Sequence, residues 1–268
     1  MPTRHAARLI GVGLTPLNAK PSPSPSRLMQ QALDSALQSV NLQRKDITGL
    51  IAIPSLAAPH FMEVSCASLC NSSWTSSGQT CPVSNNRHWR CWPVTGLLSA
   101  TRMVTEQNHN LVAVVAGDSV KGLDSEEFLK RADATCGGPD ADNLPADYEP
   151  LPSPVIPNGY DRVARYQMKK YGLTRNQLAA CSALMSMAAR HPHALTKSPR
   201  TIQDVLESQH VAPVTSVLEC ARRADGGAAL LVASSRFMER MGLDKKLGVV
   251  VVGGGEASGL CIHQNQKR

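Results

Sequence analysis

Asn110 to Val120 (NLVAVVAGDSV) is a continuous apolar run ending in Gly-Asp-Ser, with no alternation of polar and apolar positions. A strand that faces water on one side alternates, whereas a strand covered on both faces does not. The run therefore predicts a strand inside a sheet that is layered on either side. Ala7 to Gly13 (ARLIGVG) reads as a short buried strand, followed by a Pro- and Ser-rich loop from Thr15 to Ser26. Arg27 to Val40 spaces Leu28, Met29, Ala32, Leu33, Ala36, Leu37 and Val40 for a helix, and Ile47 to Ile53 is a second strand. Strand, helix, strand predicts a parallel sheet with a right-handed crossover.

Further along, Val94 to Gln107 reads as a helix with Leu97, Leu98, Met103 and Val104 on its apolar face. Lys121 to Pro157 is polar and rich in Pro, Gly and Asp, and reads as an excursion out of the sheet. Three helices follow: Tyr160 to Tyr171, stopped by Gly172; Thr174 to Ala189; and Thr201 to Ser208. Ala228 to Ala233 is a strand, Ser235 caps a helix to Met241, and Leu247 to Gly253 is a further buried strand. The predicted class is α/β: a mixed five-stranded sheet layered with helices, formed by residues 1–120 and 225–259, with an inserted helical domain at 121–224.

Hydrophobic residues are 42% of the 268 and charged residues 18%, which places the chain with globular proteins rather than disordered ones. No apolar run approaches the roughly 20 residues needed to cross a bilayer, so no membrane span is expected and a soluble chain is. Met1 to Arg8 has two Arg, one His and no acid, and reads as an unstructured basic terminus, with a short mitochondrial presequence as the alternative. The net charge of +7 suits nucleic acid, an anionic membrane or a phosphorylated substrate without choosing among them. The eight cysteines follow no regular framework, so reduced thiols in an intracellular compartment are expected.

Residues 65–92 differ from their surroundings. All three tryptophans (Trp74, Trp89, Trp92) and four cysteines (Cys66, Cys70, Cys81, Cys91) fall there among Ser, Asn and Thr. The cysteine spacings lack the paired C-x2-C knuckles that gather sulfurs around one ion, and no metal site is assigned.

Tyr160 to Gly172 (YDRVARYQMKKYG), LTRNQLA at Leu173 to Ala179, TIQDVLES at Thr201 to Ser208 and LECARRADGGAALLVAS at Leu218 to Ser234 come in an ordered set. Together they resemble the N-terminal half and loop domain of the thiolase superfamily, nearest to its sterol-carrier-protein branch and thiolase-like relatives. PSLAAPHFME at Pro54 to Glu63 has the same look. The resemblance covers 7–63 and 93–259 and leaves 260–268 as a tail unlike the family.

Against that resemblance, Asn85 to Trp92 shifted by one base can read TIDTGGAG, a strand-turn-helix lead-in of the kind the family places here. Because tryptophan has a single codon, Trp74-Thr75 and Trp89-Arg90 must both give glycine in that frame. Leu260 to Lys267 can similarly be recoded as PLYPPEPK. These readings predict a displaced segment at 65–92 and a frame change after Gly259 that truncates the chain, and the coding DNA decides them.

The resemblance implies acyl transfer between acyl-coenzyme A and a second thioester or free coenzyme A. Such chemistry needs a cysteine at a helix N-terminus, where the dipole and aligned N–H groups favour thiolate. Cys91, just ahead of the Val94 helix, has that position, although the recoded frame puts Gly and Ala there. His191-Pro192 reads as a helix stop rather than a catalytic His, and Gly253-Gly254-Gly255 reads as a turn. Arg162, Arg165 and Lys169, with Lys170, form a basic helix face that fits coenzyme A phosphates. No tightly bound cofactor is expected; a coenzyme A thioester is the substrate, a homodimer the assembly, and a mitochondrion or peroxisome the compartment. Thiolase turnover is expected to be reduced or absent. The rival reading is a non-catalytic coenzyme A- or lipid-associated protein, or a basic module for nucleic acid, the latter not expected as a partner.

Overall fold

The computed structural model describes residues 6–17, 23–57, 92–135, 151–191, 194–244 and 246–255. They divide into two compact units, one formed by residues before 123 and after 223, the other by residues 123–223. Along the chain come β1 (Ala7–Leu14), α1 (Pro25–Gln38), β2 (Gly49–Ala52), α2 (Trp92–Thr105) and β3 (Leu111–Asp118). The second unit then contributes α3 (Ser125–Ala134), α4 (Val155–Tyr171), α5 (Arg175–Ser186), α6 (Ile202–Leu206), β4 (His210–Ala212) and β5 (Thr215–Ser216). The chain returns with β6 (Gly226–Ser234), α7 (Ser235–Arg240) and β7 (Val249–Val250).

The first unit is a mixed five-stranded sheet in the order β2-β3-β6-β1-β7. Only β2 and β3 pair in parallel; β6 runs antiparallel to both β3 and β1. Leu111, Ala113 and Val115 of β3 join α1 in one core, while Val112 and Val114 join Ala100, Met103 and Val104 of α2 in another. This is the double coverage that the unbroken apolar run predicts. Each fully buried Leu or Val contributes about 1.5–3 kcal/mol before conformational entropy is charged. β1 and β2 are parallel in direction, as the strand-helix-strand reading requires, but they are not neighbours because β3 and β6 lie between them.

Helix α1 begins at Pro25, two residues earlier than its apolar spacing suggests, because proline fits the first helical turn, where its missing N–H has no partner to lose. Its buried stripe of Leu28, Met29, Ala32, Leu33, Ala36 and Leu37 lies against β1, β3 and β6. Two expectations need correction at the return of the chain. Ser234, not Ser235, caps α7: its hydroxyl accepts from Phe237 N at 3.1 Å, while Ser235 donates to the Ala6 carbonyl at 3.2 Å. The strand expected over Leu247 to Gly253 is only Val249–Val250, with Val249 69% and Val252 94% exposed. Val249 and Val250 pair with Leu9 and Arg8, and Val251 N donates to the Ala7 carbonyl at 3.1 Å, where β1 begins and offers no further ladder.

In the second unit, capping decides where helices start. Thr174 and Gln177 form a reciprocal capping box on α5, and Thr201 and Asp204 form one on α6. Gly172, at φ 69°, ends α4 in the left-handed region as predicted. Helix α3 lies inside the stretch read as an excursion. Asp124 accepts from Glu127 N at 2.8 Å to cap it, and Arg131 pairs with Glu127 one turn back.

Arg175 at the start of α5 donates both Nη atoms to the Glu219 carboxylate at 2.8 Å each, and Ser216 N donates to the same group at 2.7 Å. Burial, the largest influence on Glu219, raises its pKa, but Arg175 and the Ser216 N–H outweigh burial and leave it below the ordinary value. A depressed carboxyl pKa stabilises the fold above the unfolded value, and that contribution is lost as pH falls through the folded one. Acid titration of unfolding should therefore show an Arg175-dependent loss of stability below about pH 4.5. Arg175→Ala should flatten that limb; an unchanged acid limb would remove the pair from the account.

Candidate functional site

Arg162, Arg165 and Lys169 are all exposed on α4 and, at about 100° per residue, fall within roughly 60° of one another around the helix. The face read from the sequence therefore exists, with Lys170 turned to its side. Lys170 Nζ lies 5.2 Å from the ring centres of both Tyr166 and Tyr171, and Tyr166 contributes most to a raised ammonium pKa.

Arg165 is less free than the spacing implies. Its Nε donates to Asp161 Oδ2 at 2.8 Å, one turn earlier on the same helix. Asp161 is fully buried, and its Oδ1 accepts from Val214 N at 2.7 Å and Thr215 Oγ1 at 3.0 Å. The carboxylate thus ties α4 to the β4–β5 turn and fixes the direction of Arg165. Sequence reasoning did not single it out, although the i,i+4 Asp161–Arg165 spacing was available as a signal.

At the other unit's sheet edge, Asp118 ends β3. Its carboxylate accepts from Ser55 Oγ, Leu56 N, Ala57 N and Ser119 N at 2.8–3.0 Å. It holds the segment after β2 at the carboxyl ends of the parallel pair, the edge where open α/β sheets place ligands. With four donors already on it, Asp118 positions backbone and is not arranged to move a proton. The sequence marks it only as the Gly-Asp-Ser end of an apolar run, with no sign of its four donors.

Cys91 lies outside the described residues, as do Cys66, Cys70 and Cys81; α2 starts at Trp92, the next position. Of the thiols that are described, Cys181 is exposed within α5 and donates to the Gln177 carbonyl. Cys220 is half-buried, and burial, with Glu219 adding to it, pushes its thiol pKa up. Neither has the helix N-terminal placement of an activated nucleophile, since Cys181 lies in the middle of α5 and Cys220 follows a 3-10 turn. Among the described residues no three His, Cys, Asp or Glu side chains gather as metal ligands, and no helix is long and apolar enough to cross a membrane.

No protein-family model matches the chain. Sterol carrier protein 2 of Bos taurus is 27% identical over 96 residues, covering 35% of this chain and 18% of that protein. An acetyl-CoA acetyltransferase of Methanocaldococcus jannaschii is 31% identical over 125 residues, 46% of this chain and 31% of its own length. Among solved structures, the Ltp2-ChsH2(DUF35) aldolase superposes with a TM-score of 0.65 at 21% identity, over 88% of this chain and 57% of the other. Human mitochondrial 3-ketoacyl-CoA thiolase in complex with CoA gives 0.63 at 11% identity, over 90% and 68%. The matched stretches span less than a third of either curated relative, while the fold correspondence runs through nearly all of this chain.

Proposed function

We propose that this chain, thiolase-like in sequence and in fold, engages an acyl-coenzyme A and belongs to acyl transfer between that thioester and a second thioester or free coenzyme A. The observation that carries the reading is the exposed cationic face of Arg162, Arg165 and Lys169 on α4. Coenzyme A presents a pyrophosphate and a 3′-phosphate. Guanidinium forks match phosphate oxygens in pairs, and a lysine adds a compact charge beside them. Asp161 supports this by holding Arg165 Nε while the Arg165 side chain stays 52% exposed.

Acyl transfer also needs a thiolate to attack the thioester carbonyl, donors for the oxyanion, and release of coenzyme A as the leaving thiol. Cys91, one residue ahead of α2, is the position from which a helix N-terminus would favour that thiolate. The reading pairs coenzyme A binding with reduced or no thiolase turnover. A homodimer in a mitochondrion or peroxisome belongs to the same reading.

Calorimetric titration with coenzyme A tests it. Arg162→Glu with Lys169→Glu should weaken binding about tenfold or more, since two charge-assisted contacts become repulsive. Dephospho-coenzyme A should show a smaller difference between wild type and variant if the 3′-phosphate is what they hold. Unchanged affinity on charge reversal overturns the assignment. A salt-sensitive shift of nucleic acid without coenzyme A binding would favour the basic-module rival instead.

A further inference from the structure

Helix α5 is amphipathic the wrong way round for a water-facing helix. Its inward positions are small or polar: Ala179 is fully buried, Ser182 Oγ donates to the Leu218 carbonyl at 2.6 Å, and Ser186 Oγ accepts from Arg200 N at 2.8 Å. The opposite stripe, at helical spacing, is Cys181, Leu184 and Met185, continued by Ala188 in the 3-10 turn that follows, all exposed, with Leu184 and Met185 each 71% accessible. Large apolar side chains in adjacent positions turned to solvent mark a surface that something apolar covers.

Charge indicates what covers it. Between 151 and 223 there are ten Arg and Lys against four Asp and Glu, so most of the chain's net charge of +7 resides in this stretch. Two of the four acids are paired with cations and the other two, Asp204 and Glu207, are exposed, so the stretch keeps a clear positive excess. Asp161 is buried against Arg165, Glu219 is paired with Arg175, Asp204 accepts from the Thr201 backbone, and Glu207 accepts from Gln203. Arg190 is exposed at the end of the 3-10 turn Met187–Arg190 that continues α5, and the Arg200 backbone is held at the helix end by Ser186. An apolar stripe with an exposed cation at its end, in a stretch of net positive charge, is complementary to an anionic lipid surface, where apolar side chains enter the acyl boundary and cations meet headgroup phosphates.

We propose that the exposed stripe of α5, with Arg190 and its basic surroundings, docks the second unit on an anionic membrane surface. This is independent of coenzyme A binding on α4 and goes beyond it. Flotation of the full chain with vesicles tests it, using phosphatidylcholine alone and phosphatidylcholine mixed with phosphatidylglycerol. Wild type should float with the mixed vesicles only, and high salt should release it. Leu184→Gln with Met185→Gln should lower the bound fraction about tenfold. Ala188→Glu, a single change on the same stripe, should lower it in the same direction, and both variants should keep the wild-type circular dichroism and urea midpoint. Equal binding to both vesicle types, binding to neither, or variants that float like wild type overturn the proposal. So does a double variant that turns a wild-type dimer into monomer while vesicle binding is unchanged, because the stripe would then face a second copy.

Discussion

Gly13→Ala should lower the stability of the first unit by about 3 kcal/mol or more, a large part of the 5–15 kcal/mol typical of a domain. A Cβ built on Gly13 lies 1.9 Å from the Ala32 carbonyl oxygen and 2.5 Å from Ala36 N. Both are backbone atoms in the middle of α1, so no side chain can rotate to make room. The helix would have to lift from β1 by more than an ångström, and a gap of about 0.5–1 Å already forfeits a quarter to a half of each dispersion contact beneath it. Met29 and Leu33, buried in the same core, would lose their packing together. Gly227→Ala, whose Cβ would meet Leu28 O at 2.5 Å, should behave similarly but less severely. Gly122→Ala, with nothing within 4 Å, should stay within about 0.5 kcal/mol of wild type. Urea unfolding followed by far-UV circular dichroism ranks the three. A wild-type midpoint for Gly13→Ala would mean that α1 does not rest on the strand as described.

The position of Gly13 under α1 illustrates what the sequence could and could not reveal. Alternation and its absence are local properties, so β3 was legible as a doubly covered strand and α1 as an amphipathic helix. Sheet order is not local. Nothing near β1 announces that β6, more than two hundred residues on, will pair with it and separate it from β2. The strand expected at Leu247 to Gly253 is shorter for the same reason, since its length is set by where its partner β1 begins, at Ala7, rather than by its own valines. Helix α3 escaped notice because Ala132 is its only buried residue, which leaves no apolar period to read, although the Asp124 and Glu127 cap was visible. In the candidate site, spacing alone placed Arg162, Arg165 and Lys169 on one face. The tie from Arg165 to Asp161 was half legible as an i,i+4 pair, but the burial of Asp161 was not, because Val214 and Thr215 arrive from more than fifty residues away.

The loss of that buried acceptor should make Asp161→Ala costly, by about 2–4 kcal/mol for the second unit, because two donors are left without a partner. The substitution removes the acceptor for Val214 N and Thr215 Oγ1 and the partner of Arg165 in one step. The three losses are unequal. Arg165 is 52% exposed and can return to water, whereas the backbone N–H of Val214 has its acceptor taken away inside the fold. Asp161→Asn should therefore fall between wild type and Asp161→Ala, since one amide oxygen can still accept from Val214 while the NH2 group repels the guanidinium. Combining Asp161→Ala with Arg165→Ala separates the terms: a solvent-screened ion pair predicts a coupling energy below about 1 kcal/mol, with most of the cost remaining in the double variant. A coupling of several kcal/mol would instead make the ion pair the main anchor. The same cycle bears on function, because Arg165→Ala should weaken coenzyme A without unfolding the unit, while Asp161→Ala should weaken both. If both variants bind coenzyme A like wild type at temperatures where they remain folded, Arg165 has no part in holding its phosphates.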